Sequence, residues 1–580
     1  MEPPLKLFRR VCHAATLCFL GIVSDAHAAP PDVRVLIDTS GSMRQNDPAN
    51  LRASALRLLT ELLPSGATAG VWLFDTDTTQ LVAPSTVDKP WKASARAAAG
   101  KVNSRGLFTN IEAALTAATA NWTEPNAAKG SRQVILLTDG MVDVGKDPAD
   151  NAASRARILN EALPRLKTLG ATINTIALSE HADRALLETL AKTTEGWSAQ
   201  TQDAAALQRI FLHMFEQAAP PTGVPLQGNH FSVDTSVKEL TLLVFAKSGA
   251  PPLQITRPDK GAFIRETVGQ DVAWQHEEGY DLVTISQPAA GDWSFNAAAD
   301  PDNRALIVTD LELALDPPPT NVVPGEPLSV AARLTNKGTP IQNVDFLKLV
   351  KTNVATSSSQ GAGNVSTLSL DSTSATFGGA VDTALPPGDY QLLVRADGGT
   401  FQREQRRQIK INGPPFTFTA ETARGDDGAR VIHLTVTADA NAIDPTSFSG
   451  LLELTMPGKP PQVIEMPGLE NNEITLELGA EFAGDYTLQP WVFAATQAGR
   501  AVRLKPDPLL VSYGAGRKVA KSTATKPAAI KPAPNPPLPS INWVQAGFIV
   551  GAGNLSLGSV LGGLWYALRR RRLPPKGVSL

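Results

Sequence analysis

Cysteine is nearly missing from this chain. Its 580 residues hold two, Cys12 and Cys18, both among the first 20 positions. The remainder therefore has no thiol nucleophile, no cysteine-based zinc site and no disulfide. Histidine is sparse as well. Beyond residue 28, His181, His213, His230, His276 and His433 are scattered, with no His-x-x-x-His pair and no triad-like grouping. A Walker-type phosphate loop is absent. The net charge of −3 offers no broad basic face for nucleic acid. These gaps argue against an enzyme, including a metal-dependent hydrolase, which needs a general base beside its metal.

What is present is length and turn chemistry. A chain of 580 residues exceeds one hydrophobic core, and its 45 glycines and 45 prolines, concentrated in the second half, suit β-domains rich in turns. The most informative stretch is Val33-Arg34-Val35-Leu36-Ile37-Asp38-Thr39-Ser40-Gly41-Ser42-Met43. A short β-branched run reads as a buried strand. It ends in Asp38, with hydroxyls at Ser40 and Ser42, and Gly41 makes a bend easy. Thr109, just before a helical pattern, and Asp139, at the end of the apolar run Val134–Leu137, add two more oxygens. A hard, all-oxygen set of low charge suits Mg²⁺, or Mn²⁺ in its place, because Mg²⁺ takes about six oxygens near 2.0–2.1 Å and keeps several as water.

In this order and context Asp38, Ser40, Ser42, Thr109 and Asp139 resemble the metal-ion-dependent adhesion site of von Willebrand factor type A (VWA) domains. The resemblance runs from Pro31 to Ala219. It implies a doubly wound α/β fold with the metal at the carboxyl ends of strands. It also implies a coordination position left open for an Asp or Glu carboxylate of a protein partner. Where many members of the family have small residues before the threonine, this chain has Leu107 and Phe108. Phe108 either packs inward or forms an apolar rim. Asp47-Pro48 reads as a helix start rather than a further ligand.

Residues 1–28 read as a secretory signal, with Lys6, Arg9 and Arg10 ahead of an apolar core and Ala26-His27-Ala28 as the cleavage site. The VWA region, 29–219, alternates strands and helices. After Pro220-Pro221 short strands dominate, and a motif recurs. Gly291-Asp292-Trp293, Gly388-Asp389-Tyr390 and Gly484-Asp485-Tyr486 start at 291, 388 and 484, spacings of 97 and 96 residues. Domains of this period with an aromatic at a fixed corner resemble immunoglobulin-like sandwiches. Three all-β sandwiches are expected at 220–311, 312–413 and 414–513. Asp300, Asp302 and Asp310 read as solvated loop carboxylates or a calcium site at a junction.

Residues 514–540 form a Pro/Lys/Ala-rich linker. Trp543–Leu568 is uncharged and reads as one transmembrane helix, and Arg569–Arg572 place the basic tail, 569–580, in the cytoplasm. The layout expected is an inner-membrane protein with its bulk in the periplasm. Its VWA domain would sit at the far end of a three-sandwich stalk and bind a protein partner through Mg²⁺. A metal-independent scaffold in an envelope complex is the alternative.

Overall fold

The computed structural model describes residues 30–125, 131–203, 206–247, 249–358, 361–383, 385–425 and 428–513. The expected signal, linker, transmembrane helix and tail lie outside the described residues. Among those described, no helix is long and apolar enough to cross a membrane.

Six strands in the first 200 positions pair into one sheet. In chain order they are β1 (Asp32–Asp38), β2 (Thr68–Phe74), β3 (Thr78–Thr86), β4 (Arg132–Thr138), β5 (Ala171–Ala177) and β6 (Ser198–Gln200), and their spatial order is β3-β2-β1-β4-β5-β6. All pairings are parallel except β2 with β3. Side chains alternate across the sheet. Val33, Val35 and Ile37 face one apolar cluster, and Leu36 faces another together with Val134 and Leu136. Burial on both faces is why these strands read as continuous apolar runs.

The helices are α1 (Met43–Asn46), α2 (Leu51–Leu62), α3 (Lys89–Ala99), α4 (Ile111–Ala118), α5 (Pro148–Arg157), α6 (Leu163–Thr168), α7 (Arg184–Thr193) and α8 (Leu207–Ala218). A single π turn, Ile158–Ala162, joins α5 to α6. Helices α2, α3 and α8 cover one face of the sheet, and α4, α6 and α7 the other. Asp88, Asn110, Asp147 and Asp183 start their helices by accepting a hydrogen bond from a first-turn amide. The alternating strands and helices expected from the sequence are all present. The short helix α1 is an addition, too brief to show a period.

Residues 220–513 are β throughout apart from short helical turns, and they build three further apolar clusters. The Gly-Asp-aromatic motif opens a strand each time, Gly291–Phe295, Gly388–Asp397 and Gly484–Thr496. Each aromatic donates to the carbonyl four residues before it. Trp293 Nε1 reaches Ala289 O at 2.9 Å, Tyr390 Oη reaches Pro386 O at 2.9 Å, and Tyr486 Oη reaches Phe482 O at 2.8 Å. One corner has thus been built three times. Gly291 and Gly484 have positive φ, and a Cβ on either would meet a proline, Pro258 or Pro457, within 2.9 Å.

The β-region is not a row of separate sandwiches. The strand Gly223–Val224 pairs with Arg304–Thr309 on one side and with Gln402–Ile411 on the other, so a 14-stranded sheet runs through the first two expected domains. The α/β domain does not stand at the end of a stalk either. Its cluster around α8 continues into Leu243, Phe245, Tyr280, Leu282 and Leu306 of the β-region. Arg209 of α8 pairs with Asp300 and Asp302 at 2.7 Å, Trp197 Nε1 donates to Asp389 at 3.1 Å, and Arg500 pairs with Glu195 at 2.8 Å. These three contacts reach all three segments of the β-region. Asp300 and Asp302 are interface ion-pair partners, not solvated loop acids.

Candidate metal centre

The chain turns back on itself between β1 and β4. From β1 it goes to β2 and β3 on one side, then crosses to β4 and β5 on the other. The carboxyl ends of β1 and β4 therefore flank the reversal in strand order, where open α/β sheets form a crevice. Asp38 is the last residue of β1, and Asp139 follows the last residue of β4.

Local chemistry fixes the loop after β1. Asp38 Oδ1 accepts from Ser40 N at 2.8 Å, and Asp38 Oδ2 accepts from Thr138 Oγ1 at 2.5 Å. Ser42 precedes α1. Its Oγ lies 3.1 Å from Ser40 Oγ and donates to Asp139 Oδ1 at 2.8 Å, with Ser40 Oγ at 3.4 Å from the same oxygen. Asn46, one helical turn beyond Ser42, donates to Asp139 Oδ2 at 2.8 Å.

Thr109 comes from a loop stitched to both others. Gly106 N donates to Thr39 O at 2.9 Å, Thr109 N donates to Asp143 O at 2.7 Å, and Asp143 N donates to Thr109 O at 3.1 Å. A Cβ on Gly140 would lie 3.3 Å from Thr109 Oγ1, so the threonine side chain rests against the residue after Asp139. Thr109 Oγ1 has no hydrogen bond among the described residues, and it lines an open cleft of about 700 Å³ together with Ser40 and Ser42. The five residues singled out in the sequence are brought to one place.

Electrostatics favour a cation there. Asp38 and Asp139 are both fully buried, and neither has an ion-pair partner among the described residues. Burial, opposed by the Thr138 and Ser40 hydrogen bonds and reinforced by the charge of Asp139, pushes the Asp38 carboxyl up to about 6. Two buried carboxylates beside three hydroxyls form a hard donor set of charge −2, which suits a hard divalent ion. Among the described residues no group of three or more His, Cys, Asp or Glu forms an alternative centre.

Asp47 is not part of this set. It accepts from Leu51 N at 2.7 Å and Arg52 N at 3.1 Å at the start of α2, and it pairs with Arg52 Nε at 2.7 Å. Arg52 is fully buried. It also donates to Asp38 O at 2.6 Å and to Ser104 Oγ at 2.7 Å, which ties the end of β1 to the Thr109 loop. Phe108 does not enter the core. It is half-buried and lines the cleft beside exposed Leu107. Thr138, Asn46 and Arg52 were not singled out in the sequence. Only Thr138, adjoining Asp139, carried a positional signal.

Residues 32–213 match the model of the von Willebrand factor type A domain. The chain carries a VWA domain. Such domains generally mediate protein–protein interactions, and those with a metal-ion-dependent adhesion site bind divalent ions. Among solved structures, the chain is similar to a von Willebrand factor type A protein from Catenulispora acidiphila. The match has 17% identity and a TM-score of 0.28, and it covers 54% of this chain and 64% of that one. It is similar to the ArnB paralog VWA2 from Sulfolobus acidocaldarius, with 16% identity, a TM-score of 0.24, and 53% and 62% covered. It is also similar to proximal thread matrix protein 1 from the mussel byssus, described with a zinc-occupied MIDAS motif. That match has 19% identity and a TM-score of 0.27, with 34% and 50% covered. The chain thus spans less than two thirds of each of these proteins. No curated protein matches it.

Proposed function

We propose that the VWA domain binds a protein partner through a divalent ion, Mg²⁺ or Mn²⁺, held by Asp38, Ser40, Ser42, Thr109 and Asp139. The observation that carries this reading is a pair of buried carboxylates, without an ion-pair partner among the described residues, behind three hydroxyl residues that line an open cleft. An ion bound there supplies an electrophilic position for an incoming carboxylate, because two negative charges from the protein do not exceed its own. The chain's side chains position. Thr138 and the Ser40 amide hold Asp38, Asn46 and Ser42 hold Asp139, and Arg52 fastens the loops that carry them. We further propose a periplasmic location with an inner-membrane anchor at Trp543–Leu568, on the sequence pattern alone.

The test is calorimetric titration of the full chain with Mg²⁺ and Mn²⁺. Wild type is expected to take up one ion, and Asp38→Ala and Asp139→Ala to weaken uptake at least tenfold. Equal uptake by all three would overturn the metal reading. Capture from envelope extract in Mg²⁺ against EDTA then addresses the partner. A metal-independent scaffold is the second reading, favoured by how far the VWA domain is built into the β-region. EDTA-insensitive capture of the same partner would establish it.

A further inference from the structure

Among the described residues of the VWA domain two large apolar side chains are exposed, Leu107 at 82% and Met141 at 56%. They come from different loops, one before Thr109 and one after Asp139. Both line the cleft, with half-buried Phe108 beside them. An isolated exposed leucine needs no explanation, but confinement of the domain's exposed apolar bulk to one cleft marks an interaction surface. The same cleft carries Lys146, which is exposed and has no ion pair among the described residues. The acid on that wall, Asp143, already accepts from Asn151 Nδ2 at 3.1 Å.

We propose that the cleft takes a protein segment in which an acidic residue stands next to a bulky apolar one. This rests on the metal reading above. The acidic residue goes to the five-oxygen floor, and the apolar neighbour lies against Leu107, Phe108 and Met141. Lys146 places a cation on the rim with which a second acid of the segment can pair. The metal position by itself selects any accessible carboxylate. The apolar rim makes the choice depend on the adjoining residue, because removing such a side chain from water against it favours binding.

The experiment is selection from a displayed library of random peptides on the full chain in Mg²⁺, with elution by EDTA. Eluted peptides are expected to be enriched in Asp or Glu beside Leu, Ile, Phe or Met. Leu107→Ser with Met141→Ser, both surface changes that leave the fold intact, should keep the acidic requirement and lose the apolar preference at least fivefold. Lys146→Glu should reduce the enrichment of peptides with a second acid. EDTA-eluted acidic peptides with polar neighbours, or an apolar preference unchanged in the double variant, would overturn this proposal while leaving the metal reading intact. No EDTA-eluted peptides from wild type, alongside a failed ion titration, would remove both.

Discussion

Gly106 has no room for a side chain. A Cβ there would lie 2.1 Å from Asp75 Cβ and 2.5 Å from Asp75 Cγ. Asp75 is itself held by Thr39 Oγ1 at 2.9 Å, so it cannot swing away without loosening the loop after β1. Gly106→Ala is expected to cost about 1–3 kcal/mol in a denaturant titration. It should also weaken Mn²⁺ uptake, because Thr109 follows three residues later. Gly145→Ala, where nothing lies within 4 Å, is the control and should change neither. Arg52 sets a second test. Arg52→Met leaves Asp47 buried without its cation, at an expected cost of about 3–5 kcal/mol in the same titration. The contrast between these residues and the five oxygens shows what was legible in the sequence. Asp38, Ser40, Ser42, Thr109 and Asp139 punctuate strand ends and helix starts, where residue type and position carry meaning together. Arg52 acts through four partners, Asp38, Asp47, Asn50 and Ser104, drawn from both sides of it in the chain, and nothing in its spacing announces that it is buried.

At the scale of elements, α8 and the strand Gln402–Ile411 explain each other. The strand reads Gln-Arg-Glu-Gln-Arg-Arg-Gln-Ile-Lys-Ile, a polar pattern, yet Arg403, Glu404, Gln405, Arg407 and Gln408 are buried. The helix makes that tolerable. Arg407 donates to Glu216 O at 2.7 Å. Gln217 Oε1 accepts from Gln408 N at 2.9 Å while Gln217 Nε2 donates to Gln408 O at 3.0 Å, mimicking a neighbouring strand. Glu216 pairs with Arg304 at 2.6 Å, both fully buried. Sequence patterning identifies α8 by its apolar stripe, but it is blind to a polar face matched against a distant polar strand.

Asp302 makes this junction sensitive to acid. Burial alone would raise its carboxyl. The hydrogen bond and charge of His213, the charge of Arg304 and the bond from Arg209 outweigh it and hold the group well below the ordinary 3.8. A depressed carboxylate contributes stability that is complete above the unfolded value and is lost as pH falls toward the folded one. The contribution should therefore decline from about pH 4 downward. Denaturant midpoints of wild type are expected to fall over that range, and those of Asp302→Asn to be lower at neutral pH and flatter below pH 4. Parallel curves would show that Asp302 is not the group responsible.

For the molecule as a whole, the decisive residue is Arg500. It belongs to the last segment of the β-region, yet its guanidinium bonds Glu195 of the VWA domain at 2.8 Å, Asn321 O at 2.8 Å, and Glu326. Close to it, Arg503 N donates to Gly325 O at 2.9 Å, and a Cβ on Gly325 would sit 2.2 Å from Arg503 O. One side chain thus links three parts of the fold. Glu326 is buried, so removing its cation leaves an uncompensated charge at a cost on the order of 3 kcal/mol. That cost falls on the junction, because the partners of the Arg500 guanidinium, Glu195, Asn321 and Glu326, all lie outside residues 414–513. Arg500→Ala should therefore let residues 414–513 unfold ahead of the rest. Scanning calorimetry is expected to resolve an added low-temperature transition, and limited proteolysis to cut within that segment first. Lys505→Ala, which removes only a surface cation lying over Trp491, is the control and should leave the thermogram unchanged. If Arg500→Ala also melts in one unshifted transition, Arg500 is not what holds the last segment to the rest of the fold, and the remaining contacts, such as Arg503 N to Gly325 O, suffice.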